Sequence, residues 1–287
     1  MSFPETIGLG ALAGFTIYLG LPAGRLQLLG TRGRVALAMF SVGILAFIFV
    51  DVISNGLSIV HTALDQAKHH NGSVPYLILL VALLGAGFLA GSSGLAAIER
   101  RLRPVGPRNP PIAGGSSAAA VSVSEAEQIA QELGVARRRA LRTGLTIAGA
   151  IGVHNFAEGL AIGVSARAGA ISLATVLIIG FGLHNATEGF GIVGPLGGVQ
   201  PSWKWLGLAG LIAGGPTFLG TMVGFEVTSH PLELAFYAAA GGAIMYVIGE
   251  IWNGMRRYGY RELGLLMLSA GFMLGVITDL VITAGGG

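Results

Sequence analysis

Two segments of the chain repeat one arrangement of ligand-type side chains. The first reads His154-Asn155-Phe156-Ala157-Glu158-Gly159; the second, thirty residues on, reads His184-Asn185-Ala186-Thr187-Glu188-Gly189. On a helix, His154 and Glu158 are four residues apart and share a face, as do His184 and Glu188. Asn155 and Asn185 stand three residues before the same glutamates. Imidazole suits zinc, iron, cobalt and nickel, and carboxylate oxygen also ligates them. Two carboxylates brought together repel unless one takes a proton or a dication neutralises them. Gly159 and Gly189 permit close backbone approach beside these groups. The same residues are also compatible with a structural polar network between helices, or with a water-filled proton path.

The surroundings of both copies are apolar. Of 287 residues, 53% are hydrophobic and 11% charged, Gly contributes 48, and mean hydropathy is +0.73. A soluble domain carries about 25% charge. This composition argues against a soluble globule, a disordered chain or a charge-driven nucleic-acid binder. Cysteine is absent, which excludes disulfides and thiolate-ligated metal sites.

A membrane-spanning helix needs about 20 mainly apolar residues. Eight such runs are found, near 6–27, 35–60, 75–98, 143–165, 169–195, 205–226, 233–253 and 262–284. They do not alternate as barrel strands do. The expected fold is therefore an all-α polytopic membrane protein of eight transmembrane helices, forming one domain over 1–287. With both termini outside, fifteen of the seventeen basic residues lie in inner loops, leaving only Lys68 and Arg167 outside. The inner loop 99–142 contains a Pro/Gly/Ser segment that reads as flexible. A short helix opened by Ser124 and Glu127 as a capping box is expected to end near Gly134.

Both motif copies fall near the middle of their spans, the fourth and fifth. Other polar groups at membrane depth mark candidate pathway positions. Asp51, Asn55 and Ser58 form one stripe on the second span, continued by His61 or Thr62 near its outer end. Glu250 lies near the inner end of the seventh span. Pro216 in the sixth span is expected to kink it or free a carbonyl. Glu226, His230 and Asp279 flank outer ends.

At this point the chain resembles the ZIP (zinc- and iron-regulated transporter-like) metal-ion transporters. The segment from His154 to Gly163 closely matches that family's fourth-span signature, and His184 to Gly189 is similar to its fifth-span partner. Eight spans, external termini and a variable loop after the third span also look like that family, most like its prokaryotic GufA-like branch. The resemblance implies His154, Glu158, His184 and Glu188 as main ligands of the transported ion, with Asn155 and Asn185 completing an adjoining position. Family members often carry a carboxylate where this chain has Asn185, and Glu where it has Gly215. One ion rather than a tightly held pair is therefore expected. Asp51 and Glu250 resemble pathway positions, with His61 a further candidate. The resemblance also implies an inverted relation between the first three and last three spans, and it admits a homodimer.

The expected function is passage of a divalent transition-metal ion from outside into the cytoplasm across the cell (inner or plasma) membrane. Zinc is the default cargo, with Fe2+, Mn2+, Co2+, Ni2+ or Cd2+ as alternatives. No resident cofactor and no enzymatic activity are expected. No phosphate-binding Gly-x-x-x-x-Gly-Lys-Ser/Thr segment occurs, so ATP coupling within this chain is not expected. Rival readings are an intramembrane metal-dependent hydrolase, which would lack the usual His-Glu-x-x-His, and a proton or other cation channel.

Overall fold

The computed structural model describes residues 1–25, 30–69, 72–102, 123–167, 169, 171–196, 198–226, 229–256 and 258–284. Among them there is no strand. The helices are α1 (Phe3–Phe15), α2 (Ile17–Gly20), α3 (Thr31–Lys68), α4 (Val74–Leu89), α5 (Leu95–Leu102), α6 (Val123–Arg167), α7 (Ile171–Val193), α8 (Trp203–Glu226), α9 (His230–Arg256) and α10 (Arg261–Ala284). A 3-10 segment, Leu21–Arg25, continues α2, and a π-helical turn, Ala90–Gly94, joins α4 to α5.

Seven helical stretches among the described residues are long and apolar enough to cross a membrane. They are Phe3–Arg25, Thr31–Lys68, Val74–Arg101, Ala130–Arg167, Trp203–Glu226, His230–Arg256 and Arg261–Leu280. The chain is thus an all-helical, multi-pass membrane protein by length and composition. α7 covers the run expected at 169–195 and is not among the seven. Its side chains at 171–177 lie outside the described residues, as does the loop segment 103–122 that the sequence marks as flexible.

One expectation is overturned. The helix beginning near Ser124 does not end at Gly134 but runs without interruption to Arg167 as α6. A glycine inside a helix costs about 1 kcal/mol relative to alanine, which good neighbours offset. Here Ala-Gln-Glu-Leu precedes Gly134 and Val-Ala-Arg-Arg-Arg-Ala-Leu-Arg follows it. A second difference concerns the first span. It is broken at Thr16, whose hydroxyl donates to Ala13 O at 2.7 Å, and the chain resumes as α2.

α6 is the most enclosed of the seven stretches and α4–α5 the least. The main core gathers Ile147, Ile151 and Ala157 of α6 with Leu45 and Ile48 of α3, Ile192 of α7 and Ile244 and Val247 of α9. Glycines let these helices approach to backbone contact, as close helix packing in lipid requires. A Cβ on Gly43 would meet Leu268 O of α10, and one on Gly271 would meet Phe40 O of α3. A Cβ on Gly91 would meet Ala239 O of α9. Gly169, with φ 78°, turns the chain between α6 and α7 in the left-handed region that glycine adopts without strain.

The two ends of the bundle are pinned by arginines on carbonyls. Arg25 Nη1 donates to Pro201 O at 2.6 Å, with its guanidinium over the Trp203 ring, and Arg137 donates to Gln200 O. At the opposite end Arg167 Nη1 donates to Phe225 O at 2.6 Å.

The backbone contact at Gly91 generates an expected outcome. Gly91→Ala should destabilise the protein by about 1–3 kcal/mol through overpacking. Gly85→Ala, whose Cβ meets nothing within 4 Å, should not. Thermal melting in detergent checks this, and equal melting of the two variants would contradict the packing described.

Candidate metal centre

Joined by the turn at Gly169, α6 and α7 bring their motif copies together. His154 Nε2 stands 2.9 Å from Glu158 Oε1, the contact expected of residues one helical turn apart. The same nitrogen stands 3.7 Å from Glu188 Oε1 on α7. One imidazole therefore sits between the glutamates of the two copies. His154, Glu158 and Glu188 are all buried, each at most 4% exposed, as are Asn155 and Asn185. The side chain of His184 lies outside the described residues. Among those residues, no group of three or more His, Asp or Glu side chains is arranged to hold a metal ion as it stands.

The asparagines have a structural task. Asn155 Nδ2 donates to Ala213 O of α8 at 3.0 Å. Asn185 Nδ2 donates to Ala13 O of α1 at 3.2 Å. In each case the accepting carbonyl lies three residues before an irregular point: Pro216 in α8, and the break at Thr16 after α1. Proline has no N–H, so Ile212 O loses its helical donor. That carbonyl faces Gly152 of α6, where an added Cβ would collide with it. α8 remains helical through Pro216, and Ile212 O is the carbonyl that the proline leaves without a helical donor.

The motif glycines dock on the same partners. A Cβ on Gly159 would meet Thr217 O of α8. One on Gly189 would stand 2.7 Å from Ile17 O, in α2. Each His-Asn-x-x-Glu-Gly copy thus grips a neighbouring helical segment, by its asparagine at one level and by its glycine one turn along. α6 does this to α8, and α7 does it to the α1–α2 pair. α1 and α8 in turn cross at Gly14 and Gly214, each lying where the other's Cβ would fall.

The remaining sequence candidates lie on α3 and α9 and are not part of the His154–Glu158–Glu188 contact among the described residues. Asp51 is partly buried and accepts from Asn55 Nδ2 at 3.3 Å. His61 is exposed further along α3. Glu250 is partly buried on α9. Tyr237 of α9 lies within electrostatic range of Asp51 on α3 and of Glu233 on its own helix.

Two features escaped sequence reading. Glu99, placed at the start of the inner loop, is buried on α5 and accepts from Tyr246 Oη at 2.7 Å. Thr217 and Thr221 of α8 are fully buried beside Gly159 and Gly163, the Thr221 hydroxyl donating to Thr217 O at 2.8 Å. The pair spaced by four residues next to Pro216 is the signal that would have marked them.

The asparagine contacts set a stability expectation. Asn155→Ala or Asn185→Ala removes the amide donor to Ala213 O or Ala13 O and leaves a cavity at the helix contact, and each should cost about 1–3 kcal/mol. Thermal melting in detergent measures it; unaltered melting of both variants would show that the asparagines do not brace α8 and α1. As for likeness to known proteins, no protein-family model matches this chain, and no curated protein matches it either.

Proposed function

We propose that this chain is an eight-span transporter that carries a divalent transition-metal ion, zinc by default, from outside into the cytoplasm of a cell bounded by the membrane it spans. α7 counts as the eighth span: its 23 residues at about 1.5 Å each give about 34 Å, enough for a hydrocarbon core of about 30 Å. The placement of both termini outside rests on the bias of basic residues toward the inner loops. The resemblance to ZIP transporters is part of this reading and rests on the two motif copies.

The observation that carries the proposal is the meeting of His154, Glu158 and Glu188, from two copies of one motif, inside membrane-length helices. Two buried carboxylates in a low-dielectric interior need compensation, and one imidazole supplies at most one positive charge. A dication supplies two. In this mechanism the arriving ion sheds part of its water. It takes the place of the direct His154–Glu158 contact, and His184 completes its ligands. The helices gripped by Asn155 and Asn185 hold the two faces in register while the inner side opens. Asp51 serves the approach and Glu250 the inner exit.

The proposal is tested by metal flux into liposomes containing the purified protein. Glu158→Gln combined with Glu188→Gln should reduce saturable Zn2+ uptake by about 10–100-fold or more while the protein remains folded. Undiminished saturable uptake in that folded double variant would overturn the site.

A further inference from the structure

Three buried oxygens near the crossing of α1 with α8 have no hydrogen-bond partner among the described residues: Asn155 Oδ1, Asn185 Oδ1 and Thr217 Oγ1. All three side chains are fully enclosed, at 0% exposure. The amide orientations follow from elementary chemistry. Ala213 O and Ala13 O can only accept, so each must face an NH2 group, which leaves each Oδ1 on the other side. Thr217 lies one turn beyond Ala213, with its carbonyl against Gly159, the residue after Glu158. Its Oγ1 is 2.8 Å from the position that a Cβ on Gly14 would take, next to Ala13. Each asparagine, in turn, lies three residues from its motif glutamate.

A buried oxygen left without a partner costs about 1–3 kcal/mol. Three on one set of crossing helices need donors or a cation. Two amide oxygens and a hydroxyl are neutral, hard donors. Beside Glu158 and Glu188 they would make a ligand set rich in oxygen, free of sulfur, with His154 as its described nitrogen donor. Such sets suit Mn2+ and similar hard cations in six-coordinate shells. Zinc is satisfied by four ligands and gains less from extra neutral oxygens.

We propose that Thr217 is a specificity-determining residue. With Asn155 Oδ1 and Asn185 Oδ1 it completes an oxygen-rich shell, directly or through a retained water, that admits hard divalent cations of the Mn2+ class beside zinc. The proposal rests on the transporter reading above and deepens it by naming the cargo class and the group that selects it.

The test is calorimetric titration of the purified full-length protein with Mn2+ and with Zn2+. Thr217→Val should weaken Mn2+ binding about tenfold and Zn2+ binding by less than about threefold, and Thr217→Ser should restore Mn2+. Metal-free Thr217→Val should melt at or above the wild-type temperature, because a methyl replaces an unpaired buried hydroxyl. Equal weakening of both metals, or undiminished Mn2+ binding in Thr217→Val, would overturn the proposal. Wild-type protein alone provides a second check that no variant can spoil by misfolding. Binding of Zn2+ without Mn2+ would sink this inference and leave the transporter reading standing. Binding of neither metal would sink the transporter reading itself.

Discussion

Placing two carboxylates and an imidazole together inside apolar helices is the constraint on which the rest of this molecule turns. Glu158 and Glu188 each approach His154 Nε2, at 2.9 and 3.7 Å, with almost no access to solvent. Charge in such surroundings is expensive unless paired or exchanged for a bound cation. Helices that carry it must be held firmly, because a slip of one residue would rotate the acids away from one another. The motif supplies that hold itself. Asn155 and Gly159 fasten α6 to α8, and Asn185 and Gly189 fasten α7 to α1 and α2.

The fastening reuses one physical idea twice. A regular helix has no spare carbonyl in its interior, whereas an interrupted one offers acceptors to a side-chain amide. Pro216 removes a donor from α8, and the break at Thr16 loosens the end of α1. The asparagine of each motif copy binds a carbonyl beside the irregularity: Ala213 O, next to the freed Ile212 O, and Ala13 O, which also accepts from Thr16 Oγ1. Glycine then allows the backbones to touch, replacing side-chain interdigitation with direct contact between main chains. The correspondence of α6 on α8 with α7 on α1 is the clearest sign of internal repetition in the fold.

Much of this was legible from residues. Spacing by four put His154 on the face of Glu158, and the second copy implied a facing partner. Apolar runs located the helices because they exceed what any soluble element needs. Other features were hidden for physical reasons. Gly134 looked like a helix end, yet strong helix formers on both sides carried α6 through it. The break at Thr16 left no mark in an unbroken apolar run. Glu99 read as a loop residue because burial depends on Tyr246, which is distant in sequence. Thr217 drew no attention because a hydroxyl in a membrane helix ordinarily returns its proton to its own backbone, as Thr221 does. Only the packing of α8 on α1 and α6 shows that Thr217 lacks such a bond among the described residues.

The central claim is that both motif copies hold a single ion through imidazole and carboxylate together. X-ray absorption at the zinc edge of the metal-loaded protein measures this directly. The account predicts a shell of nitrogen and oxygen at about 2.0–2.2 Å, with the outer-shell scattering of two imidazoles. Those two should be His154 and His184, one from each copy. A spectrum showing only oxygen, with no imidazole scattering, would contradict it.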